Sequence, residues 1–585
     1  MALMSNKNIA ETIREIGEHL AMKNVPFKPR AYEKAAGVIA GLEDEVSDIY
    51  KKGGRKALED IPGVGISIAE KIEELVKTGH VKYLEGLERK TPVDLEGLSR
   101  IEGLGPKSIK TLYQKLDIRT VSELEAAAKS GKIAKLEGFG AKKEENILKG
   151  IGFAKSAGGR FVLGFEMAEI REIEKRLQAQ KNVLRVTVAG SARRRKETIG
   201  DVDILVVSKN AEPVMDFFTT MPEVVNVIAH GGTKSSVKLR SGINVDVRVV
   251  PVASYGAALN YFTGSKDHNV ALRRIAITKG WKLNEYGLFE GERRMKKGEG
   301  DGKMIAGKTE EEIYKMFRMD YIEPELRENT GEIERAQKHA LPKLVGYGDL
   351  RGDLQVQTNW TDGSDSIESM AEAAALRGLE YIAITDHTKR LAMTHGLDEK
   401  RIIEQIAEID RLNKKLRGKI TLLKGSECDI LKDGTLDLPD KVLAKLDIVG
   451  VSVHSYFNLP RAEQTERIKR AMANPHVDIL FHPTGRIIDR RPAYDVDMDE
   501  LVAAAKHTGT IMEIDAFPDR LDLKDEHIRL CVEAGVRMSI DSDAHSPTHF
   551  PYLEYGIAQA RRGWATKTDI INAWPLEKML KFLKK

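Results

Sequence analysis

The stretch Gly190-Ser191-Ala192-Arg193-Arg194-Arg195-Lys196-Glu197-Thr198-Ile199-Gly200-Asp201-Val202-Asp203 decides how the chain is read. An apolar run, Val183 to Ala189, leads into Gly-Ser, the Arg-rich segment follows, and a second apolar run, Ile204 to Val207, starts directly after two aspartates. The order is strand, loop, strand. Side chains alternate along a strand, so Asp201 and Asp203 leave the same face. In Ile243-Asn244-Val245-Asp246-Val247-Arg248-Val249 the polar residues again fall on every second position, and one face carries Asp246 between Asn244 and Arg248. Three carboxylates can therefore meet on one sheet.

Carboxylates beside a Gly-Ser turn and arginines suit phosphoryl transfer. Mg²⁺ takes octahedral oxygen ligands and keeps several waters, so a few carboxylates and the substrate phosphates complete its shell. Two such ions can stabilise both the attacking and the leaving oxygen. Taken singly, Gly200-Asp201 is an ordinary turn and Asp246 one charge on an edge strand. Tyr261-Phe262-Thr263-Gly264-Ser265 downstream, followed by Asn269 and Arg273, makes the combination specific.

In that combination the chain resembles the family X DNA polymerases, where Gly-Ser, Arg-Arg, Gly-Asp-x-Asp, a lone Asp and Tyr-Phe-Thr-Gly-Ser occur in this order. The resemblance implies a nucleotidyltransferase palm with a helical thumb, acting on gapped or primer-template DNA and dNTP. It implies that Asp201, Asp203 and Asp246 hold Mg²⁺ or Mn²⁺ and carry the chemistry. Ser191 and Arg194 would hold the triphosphate, with Gly200 offering backbone to it. Tyr261, Phe262 and Gly264 would line the sugar and help exclude a 2′-hydroxyl, and Asn269 and Arg273 would lie along the minor groove and the template side.

At 585 residues the chain exceeds what one core can bury, so several domains are expected. Hydrophobic content of 41% and charged content of 31% fit a soluble globular protein. No apolar run approaches a membrane span, and Met1 to Ala10 has no signal-peptide core. The expectation is a monomer without membrane partners, in the cytoplasm and associated with the nucleoid. Cys428 and Cys531 can form no disulfide framework and lack metal-knuckle spacing. A net charge of +4 is weak testimony to a nucleic-acid partner, which local patches must supply.

Such patches stand near the N-terminus. Ile61-Pro62-Gly63-Val64-Gly65 repeats in outline as Ile101-Glu102-Gly103-Leu104-Gly105-Pro106-Lys107, and again as Leu136-Glu137-Gly138-Phe139-Gly140. Each copy sets an apolar residue between two glycines ahead of a Lys-bearing helix, exposing backbone N–H groups at a helix start, an anion site. A single copy is equally a plain packing unit. Three resemble helix-hairpin-helix motifs, which grip DNA phosphates without reading sequence. By the same resemblance Lys71 stands where a Schiff-base lysine removes an abasic sugar-phosphate, with Lys28, Tyr32 and Lys34 in the matching pocket. Ser67 and Phe27 stand where a lysine and a histidine are expected, and Lys71 reads equally as a phosphate-contacting or solvated helix lysine.

Histidines concentrate in the last part of the chain, and their placement follows a rule. Apolar segments end in polar residues at Gln355-Val356-Gln357, Asp386-His387, Glu427, His454, His482, Asp515 and Asp541 to His545. Polar groups at the ends of successive strands are the active-site signature of a β/α barrel. Seven such strands resemble the distorted barrel of PHP phosphoesterases. That resemblance implies Mn²⁺ or Zn²⁺ ligands at Asp362, His387, Glu427, His454, His482, Asp543 and His545. The first motif departs from His-x-His: Gln355 and Gln357 offer neutral amide oxygen, a poorer transition-metal ligand than imidazole.

The expected organisation is a multidomain α+β and α/β chain. It comprises a lyase-like DNA-binding domain (1–90), a helix-hairpin-helix fingers-like subdomain (91–158), a palm (159–255), a thumb-like subdomain (256–318), a linker (319–345) and a (β/α)7 PHP barrel (346–585). The expected function is gap-filling DNA polymerisation in repair, with 3′–5′ exonuclease impaired by the glutamine pair. A bifunctional enzyme with an active barrel, and a non-catalytic DNA-end-binding protein, are the alternatives.

Overall fold

The computed structural model describes residues 6–40, 42, 45–99, 101, 104–157, 159–290, 302–391 and 394–583. Gly103, named above, lies outside them. The chain divides into two compact units, one formed by Arg160–Tyr347 with Ile557–Lys567 and the other by Met1–Gly159, Gly348–Gly556 and Thr568–Lys585.

The first unit is built on five strands in the spatial order Val183–Val188, Asp201–Ser208, Asn244–Val250, Lys234–Leu239, Val224–His230. Asp201–Ser208 and Asn244–Val250 run parallel, and every other neighbour pair is antiparallel. Past Asp203 the 201–208 strand is buried on both faces, with Leu205 and Val207 packed on Tyr255, Ala258 and Leu259 of helix Tyr255–Thr263. Its start, with the aspartates, opens to solvent, as does Ser208 at its far end. The segment expected as a loop before it forms one helical turn, Gly190–Arg193. Gly190 takes φ +63°, and a Cβ there would lie 2.7 Å from Asp203 Oδ2, so the close pass over the carboxylate requires glycine.

Residues 319–345, polar enough to be expected as a connector, pack into this unit's core. Met319, Ile322, Leu326, Ile333, Ala336 and Leu344 join Ala257, Leu272 and Tyr314, and Trp564 enters from the C-terminal segment. The charges that suggested solvation are paired internally. Fully buried Arg327 donates to Glu310 Oε1 at 2.5 Å, and Arg193 donates to Glu310 Oε2 at 2.7 Å. Burial alone would raise the Glu310 carboxyl, but Arg327 and Arg193 outweigh it and hold the group at about 2.

In the second unit seven parallel strands pair in chain order: Gly352–Val356, Tyr381–Ile384, Thr421–Asp429, Ile448–Ser452, Ile479–Leu480, Ile511–Asp515 and Met538–Asp541. A bridge between Val356 and Ala544 brings the last back to the first. The same unit holds the N-terminal helices. Its three Gly-x-Gly turns share one hydrogen bond: Val64 N to Ile61 O, Leu104 N to Ile101 O and Phe139 N to Leu136 O, at 3.0, 3.1 and 3.1 Å. The residue between the glycines is buried in each copy, while Gly63, Gly65, Gly105, Gly138 and Gly140 are exposed. Helix Lys28–Ala40 meets the barrel rim, with Lys34 Nζ 2.9 Å from Gly363 O and His549 Nε2 3.4 Å from Gly37 O. Among the described residues no helix is long and apolar enough to cross a membrane.

Candidate functional site

The parallel register sets Asp203 directly beside Asp246, and Asp201 beside Asn244. Side chains paired in a parallel ladder share a face, so all three carboxylates gather at the open strand starts. Burial, then the charges of Asp201 and Asp246, push the Asp203 carboxyl up to about 6 against the pull of Arg248 and Lys234. Lys234 Nζ lies 2.7 Å from Asp246 Oδ2. The sequence reading missed this lysine, because its strand neighbours that of Asp246 only through the hairpin register that sets Ser236 opposite Asp246.

Around this cluster stand the residues that the sequence pattern singled out. Ser191 sits in the Gly190–Arg193 turn. Arg194 donates from NH1 to the Thr263 carbonyl and from Nε to Glu328 Oε1 at 3.1 Å. Gly264, at φ +71°, leaves only 3.0 Å between a Cβ and Arg194 NH1. Asn269 Nδ2 donates to Tyr261 O at 2.7 Å, and Arg273 Nε donates to Asn269 O at 3.2 Å. Tyr261 and Phe262 meet edge to face at 5.0 Å, and Arg248 lies over the Phe262 ring. Gly200 lies beside Arg160, whose guanidinium is held by Thr198.

At the barrel mouth Glu427 is the hub. His482 Nε2 lies 2.9 Å and His454 Nε2 3.1 Å from its Oε1, while His387 Nδ1 lies 3.3 Å from its Oε2. Among the described residues, two groups have ligand atoms close enough to share an ion: Asp362 with His387 and His545, and His387 with Glu427 and His454. Burial opposes a charge on His454, but Glu427 and Asp429 outweigh it and lift the imidazole to about 9. Asp543 borders the first group, its Oδ1 3.8 Å from His545 Nδ1, and lies 3.5 Å from Arg520 Nε, with Asp515 at 3.4 Å from the same nitrogen. Arg520 was not singled out from the sequence.

The two glutamines behave differently from the histidines they replace in the pattern. Gln357 Nε2 donates to Glu427 Oε2 at 2.8 Å, so an N–H occupies the side of the carboxylate that an ion would need. Both amide atoms of Gln355 are buried without a hydrogen-bond partner. The retained His and carboxylate groups fit divalent cations, whereas the Gln355/Gln357 position does not fit a transition metal. Elsewhere, Lys71 Nζ bonds Ser67 O and Oγ at 2.9 and 3.0 Å and lies 4.9 Å from the Tyr83 ring centre and 5.9 Å from that of Tyr32. Lys107 is exposed at its helix start.

This is the architecture of a nucleotidyltransferase palm and thumb joined to helix-hairpin-helix segments and a PHP barrel. Family models agree: DNA polymerase beta palm over 165–237, DNA polymerase beta thumb over 258–328, helix-hairpin-helix domain over 4–81, the SAM-like helix-hairpin-helix tandem over 95–152 and PHP domain over 353–516. The chain is 37% identical over 585 residues to the Bacillus subtilis (strain 168) protein called DNA polymerase/3′-5′ exonuclease PolX, covering all of both chains. It is 25% identical over 344 residues to DNA polymerase lambda of Rattus norvegicus, covering 55% of this chain and 56% of that one. A probable phosphatase of Thermoanaerobacter sp. (strain X514) is 29% identical over 229 residues, 37% of this chain and 88% of the relative. The chain belongs to the family X DNA polymerases that carry a PHP domain.

Proposed function

We propose that the protein is a DNA-dependent DNA polymerase that fills short gaps during repair, and that Asp201, Asp203 and Asp246 hold its Mg²⁺ or Mn²⁺. The carrying observation is the parallel register that sets Asp203 beside Asp246 near the solvent-open starts of their strands. Divalent ions bound there supply positive charge to the attacking and leaving oxygens of nucleotidyl transfer. Asp246, at the edge of the cluster, takes the proton of the primer 3′-hydroxyl. Ser191, Arg194 and the Gly200 backbone bind the triphosphate, Tyr261, Phe262 and Gly264 shape the sugar pocket, and Asn269 with Arg273 follows the minor groove. The hairpin turns hold DNA phosphates through exposed backbone N–H groups. The test is a labelled one-nucleotide gap with each dNTP and Mg²⁺ or Mn²⁺, scored for extension and for 3′ shortening. Asp203→Ala should lower extension by on the order of a thousandfold or more while DNA binding survives; extension at near wild-type rate would sink the assignment.

For the barrel we propose that Mn²⁺ or Zn²⁺ binds at Asp362, His387 and His545 and around Glu427, His454 and His482, and that 3′–5′ exonuclease is weak because Gln357 turns an N–H toward Glu427. Changing Gln355 and Gln357 together to histidine should raise Mn²⁺-dependent shortening of single-stranded DNA by about tenfold or more. Strong shortening by the unaltered protein that Asp543→Ala abolishes would favour the bifunctional reading instead. Lys71, held by Ser67 and two rings, is assigned to phosphate contact.

A further inference from the structure

The C-terminal segment Ile557–Lys567 belongs to the polymerase unit through its packing. Trp564 is buried in the core with Leu344 and Tyr314. Val345 N donates to Ala565 O at 3.0 Å, and Arg561 donates to Glu325 Oε1 at 2.8 Å and to Val345 O at 3.0 Å. Arg562 is thereby delivered, with its side chain 3% exposed, against the loop that the nucleotide would meet. Its NH1 lies 3.1 Å from Glu328 Oε1 and 3.1 Å from the carbonyl oxygen of Arg194. Glu328 Oε1 also accepts from Arg194 Nε at 3.1 Å, and Lys196 Nζ stands 3.8 Å away.

We infer that Arg562 is a positioning residue for the incoming nucleotide: it fixes Arg194 from two sides, through the backbone carbonyl of Arg194 and through the Glu328 carboxylate that orients the Arg194 guanidinium. The inference rests on the polymerase reading above. A guanidinium has a fixed fork of donors, so where some are committed the direction of the rest is set. With Nε on Glu328 and NH1 on the Thr263 carbonyl, the remaining donors of Arg194 are aimed before any phosphate arrives. Glu328 alone would be a loose anchor, being one partly exposed carboxylate. Burial would raise its carboxyl, but Arg194, Arg562 and Lys196 together hold it below the usual range, so it remains the anion on which the cations converge. Removing Arg562 frees the Arg194 carbonyl and leaves Glu328 without its buried partner, so Arg194 must be ordered at the expense of nucleotide binding.

The test is steady-state gap filling by the full chain, read as KM for dNTP and kcat separately. Arg562→Met, which keeps the apolar stem, should raise KM by about tenfold with kcat changed by less than about threefold, because the interaction removed orders the ground-state complex. Arg562→Lys should recover part of the loss. The deciding comparison is the Arg194→Met background, in which Arg562→Met should add nothing, since residues acting through one another are not additive. A multiplicative rise in that background, or no rise in the wild-type one, overturns the inference. Should Arg562→Met fail to fold, Glu328→Gln asks the same question from the other partner. It should raise KM in the wild-type background and not in Arg194→Met, and any other pattern overturns the inference. Absence of dNTP incorporation by the unaltered protein would instead overturn the polymerase reading itself.

Discussion

At the palm, three carboxylates stand at half-open strand starts with Lys234 touching Asp246, and Asp203 is pushed toward protonation by its neighbours. At the barrel mouth, one fully buried carboxylate, Glu427, is met by His387, His454, His482 and Gln357. The first site gathers negative charge that Lys234 and Arg248 offset only in part. The second supplies counter-charge through His454, which Glu427 and Asp429 lift to about 9, with Arg520 doing the same for Asp515 and Asp543. Two candidate sites for divalent ions thus balance their charges in opposite ways. The palm gains from losing a charge, whereas the barrel loses by it.

That contrast breaks most visibly under charge removal in metal-free buffer. Glu427→Gln should destabilise the barrel by about 3–5 kcal/mol, because it strips a buried set of partners of their shared acceptor; an unchanged midpoint in urea titration would contradict the hub. Asp203→Asn should act in the other direction, stabilising by about 1–2 kcal/mol at pH 8. The sign follows from the raised folded value. Asp203 favours the folded state below the unfolded carboxyl range near 4, and that contribution is lost as pH rises to about 6. The gain in Asp203→Asn should therefore disappear near pH 4, which thermal melts across pH would reveal.

The same group sharpens the comparison through metal uptake. A proton on Asp203 competes with the ion, so half-saturation by Mg²⁺ in gap filling should rise by up to about tenfold per unit as pH falls below 6. Constant half-saturation from pH 7.5 to 5.5 would remove Asp203 from the binding set. The smallest effect belongs to the hairpin turns. A Cβ at Gly65 or Gly105 would meet nothing within 4 Å and neither has positive φ, so Gly65→Val or Gly105→Val should fold normally while shielding the N–H groups. Each should shorten the log–log salt slope of DNA binding by about 0.9 for every phosphate that the shielded turn no longer holds. A slope identical to wild type would argue that these turns only pack.

Much of this was legible because its signals are local. Alternation around Asp201, Asp203 and Asp246 set the palm face, and the Gly-x-Gly spacing forecast three turns that prove to share one hydrogen bond. Polar residues at the ends of apolar runs marked all seven barrel strands. What escaped depends on distance along the chain. Arg562 meets Glu328 and Arg194 only after the chain has traversed the barrel, and no periodicity announces that return. Lys234 needed a hairpin register, and Arg520 lies in a loop without a pattern of its own. The 319–345 tract misled for a physical reason: Arg327, Glu325 and Glu332 are charged and buried because their partners are inside, a pairing that composition reports as exposure.

The return of Ile557–Lys567 also orders events during synthesis. Tyr347 emerges from the ribosome roughly two hundred residues before Ile557, and at about 5–20 residues per second the interval is about 10–40 s. Throughout that time the nascent polymerase core lacks Trp564, and Arg194 lacks Arg562. The anchoring of Arg194 from its second side is consequently a late acquisition, deferred until the barrel has been translated.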